Sequence, residues 1–299
     1  MASQRSTFYK LITAAVVFLL FTLLTGGISA ALLWFVPSET ATVSTGMLRI
    51  IQLISSLFIF IIPTFVTMRL ISSHPLRSLS LTTGITPLSI GIMLLLMTSI
   101  SPLIGWLEEL NKSIVFPESL AWLESSLLQK EEQARGAIEQ LIQGNGLFDY
   151  VSSFTLVALL AGIGEELLFR GGLQNAVCRR IKNPHVGIWV VAILFSAIHL
   201  QFYGFVPRVI LGAVLGYLLL WSGSLWLPIL AHTYNNAAYL TIQYLVREKK
   251  IDFDPETFLW SEHPLWLALS ILLMVGITIL ATKMIPVKKR VKQVPIDED

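Results

Sequence analysis

Three short stretches of the chain hold residues able to move protons. GIGEELLFRGG, residues 162–172, carries Glu165, Glu166 and Arg170; FSAIH, residues 195–199, ends on His199; HTYNN, residues 232–236, carries His232 and Asn236. Each lies in or at the end of an apolar run, where an ionisable group costs at least a few kcal/mol at membrane depth and so marks a site. Helix geometry separates their roles. Glu166 and Arg170 are four positions apart and share a face, so they can form the ion pair that makes burial of both tolerable. Glu165 projects about 100° away from Glu166. It has no partner in its own helix, which leaves it free for one from outside, an imidazole on another helix, and suits it to general-base work. His232 and Asn236, again four apart, put an imidazole and a carboxamide on one face. Two converging donors of this kind are what a developing oxyanion needs when water attacks a carbonyl. His199 supplies a second group around that water. The set is sufficient for peptide hydrolysis without a serine, a cysteine or a covalent intermediate. A buried His or Asn by itself is often only an interhelical hydrogen bond, and the Glu166–Arg170 pair reads as structural support. Two adjacent glutamates with two histidines and an asparagine in three successive regions are not explained as glue.

The elements that must position these residues are membrane helices. Of the 299 residues, 54% are hydrophobic and 13% charged, with a mean hydropathy of +0.71, well above what a soluble domain needs. The expected fold is all-α, a polytopic membrane protein of about eight transmembrane helices enclosing a polar catalytic cavity. At about 20 apolar residues per span, the spans fall near 11–34, 50–68, 88–107, 148–169, 185–200, 205–221, 225–245 and 265–285. The first follows Arg5 and Lys10 like a signal peptide but is too long for one, and reads as a retained helix. The fifth and sixth are short and are interrupted by Pro207 and Arg208; they could form one bent or re-entrant unit inside the bundle. Four regions follow: N-terminal helices over 1–107, an amphipathic extracytoplasmic connection over 108–147, a catalytic core of four helices over 148–245, and over 246–299 an extracytoplasmic loop, a last helix and a basic tail. In the connection, Leu120, Leu123, Leu127, Leu128, Ile138, Leu141 and Ile142 recur at helical spacing among charges, as in a cap on the membrane surface or a gate for substrate.

Basic residues gather at the N-terminus, at 69–77, at 179–182 and at 288–292, all on one side of an eight-helix bundle, while 108–146 and 247–264 are acid-rich. That side is expected to be cytoplasmic, with both termini inside an inner (plasma) membrane. Arg49 is an exception to the bias. Cys178 is the one cysteine, which excludes a disulfide framework or a zinc-thiolate site. A net charge of +2 with no basic run interleaved with aromatics gives no basis for nucleic-acid binding.

The three motifs, Glu165-Glu166-x-x-x-Arg170, Phe195-x-x-x-His199 and His232-x-x-x-Asn236, resemble those of the CAAX-protease and bacteriocin-processing (CPBP, or Abi) family of intramembrane proteases, similar to the Ras-converting CAAX endopeptidases. The resemblance implies that Glu165 and His199 activate water, that His232 and Asn236 form the oxyanion hole, that Glu166 and Arg170 hold the site together, and that the cavity opens toward the cytoplasmic half. The family's Phe and small-residue pattern has its nearest match in Phe205, Gly212 and Gly216. The expected function is an intramembrane endopeptidase acting on a membrane-embedded or lipidated peptide, CAAX-like or a leader. The alternatives are a noncatalytic scaffold or bacteriocin-immunity protein binding peptide in the same cavity, and a proton-coupled transporter, which the lack of an internal repeat disfavours. No cofactor is favoured. Zinc held by Glu165, His199 and His232 is the alternative, but it would leave Asn236 without a role and lacks the H-E-x-x-H pattern.

Overall fold

Polar caps and prolines fix where the helices begin. In this computed structural model, which describes residues 2–34, 43–144, 146–181, 183–253 and 258–284, helix α1 spans Ala2–Trp34 and α2 spans Thr45–Ile71, opened by Ser44. Helix α3, Pro87–Lys112, starts at a reciprocal cap in which the Ser89 N–H donates to Thr86 Oγ1 at 3.2 Å and the Thr86 N–H to Ser89 Oγ at 3.0 Å, with Pro87 at the first position. A 3₁₀ turn, Glu118–Leu120, leads into α4, Ala121–Leu141. Helix α5 runs over Leu147–Ile181. Asn183 caps α6, Pro184–Ala197, by accepting from the His185 and Val186 N–H groups. Helix α7, Phe205–Ser222, holds Pro207 in its first turn, where the missing N–H costs nothing, and stops at Gly223 with φ +63°. Helices α8, Trp226–Arg247, and α9, Pro264–Met284, complete the described chain.

All regular elements among the described residues are helical, and the protein is a polytopic membrane protein. Six helices are long and apolar enough to cross a bilayer, namely α1, α2, α3, α5, α7 and α9. The other two expected spans fall short for opposite reasons. Helix α6 is apolar but has only 14 residues, whereas α8 has 22 but carries the polar HTYNN stretch. The fifth and sixth are not one bent unit: α6 and α7 are separate helices paired antiparallel, since Ala192 lies against Gly212 and Ile188 against Gly216. The 288–292 tail and Lys182 lie outside the described residues.

Helix α8 is packed from several sides. Ile92, Met93, Leu96 and Met97 of α3 bury against Leu211, Leu215 and Leu218 of α7 and Leu227 and Ala231 of α8. Met68 of α2 and Leu167 of α5 meet Ile229 of α8 in a second cluster. Helix α4 differs: none of its residues is buried.

Candidate active site

Small residues decide how closely α5 and α8 approach. A Cβ at Gly162 would lie 2.7 Å from Thr233 Oγ1 and 3.1 Å from the Thr233 nitrogen, and one at Gly164 would lie 2.9 Å from Phe60 Cβ of α2. Only glycine allows these backbones so near. The glutamates sit in an α-helical turn, Ala161–Glu166, between two π-helical stretches, Phe154–Leu160 and Leu167–Gln174. Such wide turns are frequent at functional sites.

The two adjacent carboxylates have different environments. Glu166 is fully buried: its Oε1 lies 3.0 Å from Arg170 Nη1 and accepts from His232 Nδ1 at 2.9 Å. The Glu165 side chain keeps 17% of its surface, and its Oε2 stands 4.0 Å from His232 Nε2. His232 is thus set between them, one ring nitrogen fixed on the inner carboxylate and the other turned to the outer. Arg170 also donates to the Gly212 carbonyl at 3.1 Å, and one helical turn on Gln174 donates to the Gly216 carbonyl at 3.1 Å. These two rungs tie α5 to α7 through the glycine pair. A buried guanidinium and carboxylate are tolerable only when paired and hydrogen-bonded in this way.

Phe195 is the common neighbour of the charged groups. The Arg170 guanidinium lies 4.5 Å from its ring centroid, and the rings of His199 and His232 meet it edge-on at 5.1 and 5.9 Å. His199 Nδ1 is 2.7 Å from the Phe195 carbonyl oxygen. A carbonyl only accepts, so Nδ1 carries the proton and the neutral ring keeps its lone pair on Nε2. Asn236 donates one amide N–H to the Val157 carbonyl of α5 at 3.1 Å and has a second N–H to offer.

Glu165, Glu166, Arg170 and His232 therefore form one chain of contacts, His199 joins it through the Phe195 ring, and Asn236 stands one turn along α8, anchored on α5. Sequence reasoning gave Phe195 no role beyond marking the second motif, and Gln174 none at all. The spacing Arg170-x-x-x-Gln174 opposite Gly212-x-x-x-Gly216 was the available signal. Among the described residues no three His, Cys, Asp or Glu side chains converge as a metal ion would require, so Glu165, His199 and His232 do not fit a zinc site in this arrangement. Open concavities beside Val246–Phe253 and at Arg247 are lined by none of these residues.

The fold and the buried glutamate–histidine cluster define a membrane protein with a polar centre enclosed by helices. Residues 147–238, which contain all three motifs, match the family model described as type II CAAX prenyl endopeptidase Rce1-like. Over this segment the chain is similar to that family, and the resemblance read from the motifs holds over the helices that carry them. A curated relative, the uncharacterized protein YpbD of Bacillus subtilis (strain 168), is 28% identical over 100 residues, covering 31% of this chain and 48% of the relative. The chain thus spans about half the length of that relative. No solved structure matches.

Proposed function

We propose that the protein is an intramembrane endopeptidase that hydrolyses a peptide bond of a membrane-associated substrate, lipidated and CAAX-like or a leader peptide, by a metal-free glutamate mechanism. The observation that carries this reading is Glu165 Oε2 held 4.0 Å from His232 Nε2, above a buried Glu166–Arg170 pair, in a segment that matches CAAX prenyl endopeptidases. Glu165, the carboxylate with access, takes a proton from water while His199 Nε2 accepts the water's other hydrogen and orients it. The water oxygen bonds to the carbonyl carbon. The oxyanion receives hydrogen bonds from protonated His232 through Nε2 and from the second Asn236 N–H. The proton on Glu165 passes to the leaving nitrogen as the C–N bond breaks. Glu166 and Arg170 orient the His232 ring.

Glu165→Gln keeps the shape and removes the basic oxygen. In detergent, with a quenched-fluorescent peptide library including prenylated members, it is expected to lower cleavage about 10²- to 10⁴-fold without changing the melting temperature. Equal cleavage by wild type and variant would remove Glu165 from the role of base. Activity is expected to survive exhaustive chelation, and activity restored only by added zinc would overturn the metal-free step.

A further inference from the structure

Hydrogen bonds between helix ends show which elements meet at each end of the bundle. At one end Asn111, in the last turn of α3, donates to the Phe202 and Tyr203 carbonyls between α6 and α7 at 2.9 Å each. Arg247, closing α8, donates there to the Ile142 and Gly144 carbonyls that follow α4. At the other end Asn175 of α5 donates to the Ser78 carbonyl at 3.1 Å, and Trp226 Nε1, opening α8, to the Leu81 carbonyl at 3.0 Å. The two ends differ in charge. The first carries the acids of 108–139, Asp149, Glu248, Asp252 and Glu262, and several of its cations are bound to acids, Arg49 to Asp149, Lys112 to Glu108 and Arg135 to Glu132. The second carries Arg69, Arg77, Arg179, Arg180 and Lys283 and, among the described residues, no acid. In the sequence, Lys182 and the basic run at 288–292 follow directly on it. Basic residues near the ends of spans mark the cytoplasmic side.

The glutamate–histidine cluster is closed toward the basic end and open toward the acidic one. Below Arg170, a Cβ at Gly171 would lie 3.0 Å from side-chain carbons of both Leu79 and Leu225, and neither leucine has any exposed surface. Met68, Leu167 and Ile229 complete this apolar plug. Helix α8 shows the same change along its length. Leu227, Ile229, Ala231 and His232 are buried, whereas Thr233 to Ala238, on the acidic side of His232, are each half-buried. His199 lies in the turn that Asn111 holds at the acidic end, and the next residue, Leu200, keeps 64% of its surface. A polar peptide segment coming from the basic end would have to displace the plug, at the cost of burying its polar groups among leucines. From the acidic end it meets polar and half-buried groups as far as Glu165.

We propose that the site is entered from the extracytoplasmic face, and that its substrate is a peptide whose scissile segment has already crossed the membrane, so that a translocation reaction must supply it. The inference rests on the endopeptidase reading of the same cavity and narrows it. It is the reverse of the cytoplasmic opening that the resemblance implies. It favours an exported leader or membrane-anchor peptide over a tail displayed in the cytoplasm.

Cysteine accessibility tests this apart from cleavage. In Cys178→Ala protein, Glu132→Cys on α4, Arg77→Cys at the basic end and Asn236→Cys in the site are introduced one at a time. Right-side-out and inverted membrane vesicles from expressing cells are then treated with a cationic thiosulfonate, which the bilayer excludes. Glu132→Cys and Asn236→Cys are expected to react in right-side-out vesicles alone, and Arg77→Cys in inverted vesicles alone. Reaction of Asn236→Cys from the inverted side, or from neither, overturns the proposal, and so does reaction of Glu132→Cys from the inverted side. If Asn236→Cys does not fold, Leu200→Cys takes its place with the same outcomes. Quenched-fluorescent peptides too polar to cross a bilayer, chosen because the protein cleaves them in detergent, should be cut by right-side-out vesicles and spared by inverted ones. Cleavage by inverted vesicles alone, or by neither, overturns the proposal. Should Glu165→Gln cleave as wild type does, the endopeptidase reading fails, while the labelling still reports the side of entry.

Discussion

Two helices carry carboxylates with buried oxygens and are held in opposite ways. Helix α5 delivers Glu165 and Glu166 from a stretch pressed against α2 and α8 at Gly162 and Gly164 and tied to α7 by Arg170 and Gln174. Helix α4 delivers Glu131 from a segment with no buried residue. It is fixed by Gln201 in its middle and at its end by Arg49, which reaches the Leu141 and Gln143 carbonyls, and by Arg247, which reaches Ile142 and Gly144. The first helix is over-determined by packing and buried charge; the second hangs on polar contacts near the surface. Changes in α5 should therefore act on fold and chemistry together, and changes in α4 on the local order of that helix.

The sharpest way to break this comparison is Arg170→Ala. It leaves Glu166, which has no exposed surface, with the His232 ring as its remaining partner, and removal of one partner of a buried pair costs about 3–5 kcal/mol. A large fall in melting temperature in detergent, with loss of all cleavage, is expected. An unchanged melting temperature would mean that α5 is not held by its charges. The next effect in size is Gly162→Ala. Its Cβ would stand 3.1 Å from the Thr233 nitrogen, so α8 must move, at about 1–3 kcal/mol. Because that shift carries His232 away from Glu165, kcat should fall more than stability does. A variant with full kcat would show that the 4.0 Å approach of the two groups is not needed.

The same contrast explains how far the sequence could be read. Helices were legible because lipid enforces long apolar runs, and eight expected spans correspond to α1, α2, α3 and α5 to α9. Of the two short ones, α7 is long and apolar enough to cross and α6 is too short, while α8 falls outside by the polarity of His232 to Asn236. The Glu166–Arg170 pair followed from four-residue spacing and stands at 3.0 Å. Contacts between helices were not legible. That His232 turns Nδ1 to Glu166, that Phe195 lies between Arg170 and both histidines, and that Gln201 links Arg208 to Glu131 depend on interhelical rotation, which no periodicity encodes. Arg208 read only as an interruption, and Arg49 only as an exception to the charge bias. Arg49 finds its partners far away in the chain, and Arg208 finds its own across the turn that joins α6 to α7.

Arg49 supplies the smallest test. Its Nη1 lies 2.9 Å from Asp149 Oδ1 while Nε and Nη2 donate to the Leu141 and Gln143 carbonyls at 3.3 and 2.9 Å, a cation placed on the C-terminal carbonyls of a helix. Asp149 is about one-third exposed, 31%, so water replaces much of what is lost and screening weakens the ion pair. Arg49→Ala is expected to cost about 1 kcal/mol, with little change in the melting temperature of the bundle. The loss should be local, because Arg247 still holds Ile142 and Gly144 while the rest of the end is released. Amide hydrogen exchange over 121–144 should quicken roughly fivefold, as 1 kcal/mol of local opening requires, while amides of α5 and α8 keep their protection. Exchange that quickens equally in α5 would show that the end of α4 and the site helix open as one unit, and that the two regions are not held separately.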